Sequence, residues 1–250
     1  MGRYRVSALA PTLAAASGSK LDWYLTRSTG TVALLLLTAS VTLGVADVKR
    51  LGTTRWPRFV LDSLHRNVSL LAVAFLVLHI LTAVLDSFAP ISLTAAVVPF
   101  IGSYRPLWLG LGAVAFDLLL AVILTSVLRR RIGHAGWRAT HWLAYACWPI
   151  ALLHSLGTGS DVKSSWLLAL AAACTALVLA AVLMRALSGW TGASARGRGA
   201  VIGGVAVFAL GLLLWLPRGP LGSEWARRSG TPTALLSHKR ASSQTAGSSR

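Results

Sequence analysis

The chain has 250 residues, of which 55% are hydrophobic and 12% charged, about half the charge of an ordinary soluble domain. This excludes a water-soluble globular fold and points to lipid as the solvent. The formal charge of +17 would suggest nucleic acid in a soluble protein, but the arginines flank apolar blocks instead of interleaving with aromatics on one face, so nucleic acid is excluded as a partner.

The apolar residues gather in blocks near twenty residues long, enough to cross roughly 30 Å of hydrocarbon as helix. Taken in order, they predict spans over 28–46, 59–86, 107–128, 139–158, 165–184 and 200–216. The expected fold is an all-α, multi-pass integral protein of the cell membrane, a bundle of about six transmembrane helices in contact with lipid. Residues 1–23 read as an N-terminal tail without the signature of a removable signal peptide, so the first span is expected to serve as the insertion signal. A core unit over 24–187 is followed by a linker and sixth helix over 188–216. Residues 217–250 are rich in Ser, Gly, Arg and Thr, which predicts a disordered basic tail.

The loops after the first, third and fifth spans carry Lys49, Arg50, Arg55, Arg58, Arg129, Arg130, Arg131, Arg138, Arg185, Arg196 and Arg198, against Arg105 and Lys163 in the loops between. The positive-inside rule puts the first set in the cytoplasm and both termini outside. The tails oppose this, with four basic residues before the first span and six after the last; the short loops, where the rule is strongest, decide. Cys147 and Cys174 both lie in apolar helices and read as core packing, not as a disulfide or metal pair.

Four of the six histidines fall in the second and fourth spans, and ionisable groups inside a membrane are costly and usually functional. His65 and His79 are 14 residues apart, so they share a helix face to within about 40° at a separation of roughly 21 Å. His141 and His154 are 13 apart, nearly the same rise, but a straight helix would rotate them by about 220°. Pro149 lies between them, and a distortion there is expected to bring both imidazoles onto one face. The second and fourth spans run in the same direction, which pairs His65 with His141 towards the cytoplasm and His79 with His154 towards the outside. One imidazole pair per level suits a haem iron with both axial positions filled, a carrier of electrons with no vacant site for a small ligand. Histidines bonded from helix to helix, a proton relay or a transition-metal site are the alternatives. A single metal ion would need its ligands to converge.

Around these histidines stand Thr26-Arg27-Ser28-Thr29-Gly30, Leu64-His65-Arg66-Asn67, Leu78-His79, Arg105-Pro106 and Trp137-Arg138-Ala139-Thr140-His141, with His154 beyond. In these the chain resembles the ferric reductase-like transmembrane domain family, over roughly residues 24–185. The family includes ferric-chelate reductases, the membrane core of NADPH oxidases, and the haem subunit of a bacterial periplasmic methionine sulfoxide reductase system. The resemblance implies two stacked b haems, iron-ligated by His65 with His141 and His79 with His154. It also implies electron transfer from a cytoplasmic or membrane donor to an extracytoplasmic acceptor, making the chain an oxidoreductase component. The sulfoxide reductase subunit lacks a histidine at the equivalent of His65; this chain has one, as the oxidase branch does. It departs from that branch because no glycine-rich nucleotide loop follows a strand after the fifth span. The donor is therefore expected to be a separate flavoprotein reductase or a quinol. A quinol-fed haem subunit of a periplasmic reductase is one alternative, with a single haem if His65 does not serve. A haem-free transporter or scaffold is another.

Haem propionates call for cations near each membrane surface. Arg66 and Arg138 are candidates for the cytoplasmic haem and Arg27 for the outer one, the alternative for each being interfacial snorkelling. Trp148, midway between His141 and His154, could sit between the haems or simply pack. Asp117 falls near the middle of the third span, as a hydrogen-bonded neutral acid or a proton-handling group. His134 and His238 lack partners at ligand spacing and read as solvated. The stretch 157–161 closes the fourth span with helix-ending residues.

Overall fold

The computed structural model describes residues 6–48, 58–86, 89, 91–159, 161–187 and 194–237. Lys49, Arg50, Arg55, the linker stretch 188–193 and His238 lie outside the described residues, which contain no strand. The helices are α1 Val6–Val48, α2 Arg58–Leu85, α3 Leu93–Val97, α4 Pro106–Val127, α5 Arg129–His141, α6 Leu143–Thr158, α7 Ser165–Leu187, α8 Ala195–Arg218 and α9 Trp225–Arg228.

Among the described residues, five segments are long and apolar enough to cross a membrane: Leu21–Ala46 within α1, Phe59–Leu85, Pro106–Val127, Ser165–Leu187 and Ala195–Arg218. They match the first, second, third, fifth and sixth expected spans. The chain is a multi-pass, all-helical membrane protein, and large apolar side chains such as Leu85 and Val207, more than 70% exposed, face the lipid. The numerous Ser and Thr of α1 are tolerated because their hydroxyls bond back one turn. Thr31 reaches Arg27 O at 2.8 Å, Thr38 reaches Leu34 O at 2.8 Å and Thr42 reaches Thr38 O at 3.0 Å.

The fourth expected span is built from two pieces. The basic stretch after α4 is helical, as α5, with a kink at Gly133, φ 75° and ψ 168°, and helical bonding is interrupted again at Trp142, where Tyr145 N–H bonds Trp142 O in a tightened turn. Pro149 lies within α6 without ending it, and the tightened turn at Trp142 precedes it by seven residues. At 16 residues, α6 is only about 24 Å long.

Two antiparallel hairpins organise the bundle. α1 packs along α2, where Ser40 and Ser69 hydroxyls bond at 2.7 Å, and α4 packs along α6, where the Cys147 thiol donates to Ala115 O at 3.3 Å. Lipid offers little hydrophobic driving force between helices, so close packing and such polar contacts hold the pairs. α7 lies against α1, and α8 against α7. The core of Val41, Trp148, Leu152, Leu156, Val162, Cys174 and Val178 joins α1, α6 and α7. Cys147 and Cys174 are free and buried.

Residues 219–237 depart from the disorder expected past Pro217. They fold back over the end of the bundle, where Trp225 packs on Trp108 and Trp215 and Arg105 N–H bonds Gly230 O. Composition reads this stretch as unstructured, yet Trp225, Thr231 and the Gly230 carbonyl tie it to Trp108, Trp215 and Arg105.

Candidate cofactor site

α2 and α6 are not among the helix pairs that pack on one another; between their hairpins the four histidine rings face each other at two levels. His65 stands opposite His141 with ring centroids 6.4 Å apart and planes at 72°, and His79 opposite His154 at 6.3 Å and 79°. His141 reaches its partner from the last residue of α5 and His154 from α6. The tightened turn at Trp142 and Pro149, which has no N–H to donate, both lie between them, so the rotation of a straight, fully bonded helix does not apply.

Three of the rings are fixed from behind. His79 Nδ1–H donates to Thr26 O at 2.8 Å, His154 Nδ1–H to Trp108 O at 2.8 Å and His65 Nδ1–H to Ser40 O at 3.0 Å. A backbone acceptor at Nδ1 selects the tautomer that leaves the Nε2 lone pair free, which is the arrangement of metal-binding histidines. His141 differs: its Nδ1 is buried without a partner, and its ring packs on Trp137 at 5.0 Å.

Glycines make room for this. A Cβ at Gly112 would lie 2.5 Å from the His154 ring, and one at Gly30 2.8 Å from the His79 ring. At Gly44 the corresponding distance to His65 is 3.3 Å. Gly30 and Gly44 are spaced 14 residues apart on α1, the same interval as His79 and His65 on its antiparallel neighbour. That matched interval is readable in the sequence; the carbonyl acceptors Thr26, Ser40 and Trp108 carry no side-chain signal.

Two imidazole nitrogens about 2 Å from one metal ion place their ring centroids roughly 6 Å apart, a spacing that would let each pair hold one iron between its rings. Among the described residues, no group of three or more His, Cys, Asp or Glu is placed to hold a metal ion.

The remaining candidates are distributed unevenly. Arg27 pairs with Asp161 and lies over the Trp23 ring at 3.9 Å; it stands beside Thr26, at the His79 level, as expected. Arg66 and Arg138 are exposed next to the His65 level. Asp117 is half-buried on α4, and His134 is exposed within reach of Arg129 Nη2 at 3.3 Å. Trp148, 1% exposed, turns into the core and donates its indole N–H to Thr38 Oγ1 at 2.9 Å, which is the packing alternative. Arg105, a motif residue given no role above, is 4% exposed and bonds the end of α6. Burial lowers its guanidinium pKa below the usual arginine value, Tyr104 opposing and Arg27 adding to the shift.

The chain matches the family model of the ferric reductase like transmembrane component over residues 29–153, half its length. The match takes in all of α2 with His65 and His79, and α5 with His141; it stops one residue before His154. No curated protein and no solved structure matches significantly.

Proposed function

The chain belongs to the ferric reductase-like transmembrane family, and on that premise we propose that it carries electrons across the cell membrane through two b-type haems. His65 with His141 would hold one and His79 with His154 the other. The observation that carries the reading is the pair of facing imidazoles at two levels, 6.4 and 6.3 Å between centroids. A haem iron so held supplies one-electron redox chemistry without an open coordination site. The residues then have defined tasks. Thr26, Ser40 and Trp108 carbonyls orient three rings, Trp137 supports the fourth, and Gly30 and Gly112 admit them between the helices. Electrons enter from a separate flavoprotein or quinol on the cytoplasmic side and leave to an extracytoplasmic acceptor. Arg66 and Arg138 serve the propionates of the inner group and Arg27, shared with Asp161, those of the outer.

His65, the residue on which two groups or one depends, sits as squarely against its partner as His79 does, which favours two. Pairwise substitution tests this. His79→Ala and His154→Ala should each lose the same half of the haem, and His65→Ala and His141→Ala the other half, read from the reduced-minus-oxidised spectrum of purified protein. Unchanged haem in His65→Ala would leave a one-haem protein.

A further inference from the structure

A set of contacts from Arg105 and from the segment 225–231, which lies past the family match, converges on the end of α6 that carries His154. Arg105 adopts a left-handed backbone, φ 42° and ψ 60°, and its N–H donates to Gly230 O at 3.0 Å. Its Nη1 donates to Gly157 O at 3.0 Å and Thr158 O at 2.9 Å, and its Nε to Thr231 Oγ1 at 3.0 Å. The buried cation thus occupies the negative end of the α6 dipole. Trp225 adds an indole N–H to Gly157 O at 3.2 Å and packs on Trp108 with centroids 5.2 Å apart and planes at 55°.

These contacts bear on His154 from two sides. Trp108, three residues past Arg105, gives the carbonyl that His154 Nδ1–H bonds. Thr158, whose carbonyl Arg105 holds, donates its own hydroxyl to His154 O at 2.7 Å. An imidazole pressed against a fixed carbonyl is more basic and a stronger ligand, and an iron so ligated is more stable in its oxidised state. The His65 level, held by Ser40 and Trp137, shares none of these partners.

We propose that Arg105 and the segment 225–231 form a clamp that positions the His154 imidazole and thereby lowers the redox potential of the group held by His79 and His154. Arg105 acts here as a positioning residue, and the proposal rests on the haem reading above. Loosening the clamp lengthens the Nδ1–H to carbonyl bond, weakens the ligand and raises that one potential.

The test is an optical redox titration of the full-length protein carrying Arg105→Lys, Trp225→Phe or Thr231→Val, with the low-spin ferric signals followed by electron paramagnetic resonance. His65→Ala, which keeps only the His79–His154 group, assigns the midpoints. The expected result is an upward shift of that midpoint and a moved signal, largest in Arg105→Lys, with the other midpoint unchanged. Haem-loaded variants in which neither midpoint moves, or both move equally, would overturn the clamp. Should Arg105→Lys fail to accumulate, the two single-bond variants decide on the same criterion. A wild-type chain without haem would instead sink the functional reading itself.

Discussion

His154 and His79 are the most tightly seated of the four histidines, and the glycines behind them show by how much. A Cβ at position 112 would press on a ring already bonded to Trp108 O, so neither the ring nor α4 can yield cheaply. Overpacking of this kind costs about 1–3 kcal/mol. Gly112→Val should therefore lose half of the haem or more, Gly30→Ala somewhat less, and Gly44→Ala, at 3.3 Å from its ring, should stay close to wild type. The haem-to-protein ratio of the three purified variants checks this order. The pairing of rings was legible in the sequence because intervals of 14 and 13 residues fix the two levels. That His141 lacks an acceptor at Nδ1 and leans on Trp137 was not legible, since backbone carbonyls leave no mark in sequence. Nor could any local pattern reveal that Arg27 pairs with Asp161, 134 residues away.

At the scale of elements, five of the six spans stood out by length and apolarity, whereas the fourth is divided between two helices. The mismatch between His141 and His154 required a distortion, and Pro149 was the visible candidate. The structure adds a tightened turn at Trp142, where the arginine-rich, exposed α5 meets the apolar α6. α6 is anchored to α1 through the Trp148 indole and the Thr38 hydroxyl, both buried. Thr38→Val keeps the shape and removes the acceptor, leaving a buried N–H unsatisfied at a cost of about 1–3 kcal/mol. Thermal unfolding in detergent should show a clear fall in Tm, and Thr38→Ser, which restores the acceptor, a much smaller one.

At the scale of the whole molecule, two antiparallel hairpins stand with α2 parallel to α6, and α7, α8 and the docked segment 219–237 lean on them from outside. The docked segment escaped the sequence reading because its Gly and Ser content resembles that of a free tail, while the few groups that dock it act through tertiary contact. The slot between the hairpins has two levels, and the account stands or falls on both being filled. The decisive measurement is the pyridine haemochrome content of the purified protein against its concentration by amino-acid analysis. Two b-type haems per chain are predicted, falling to one in His65→Ala; a ratio of one in the wild type, or none, would contradict the account.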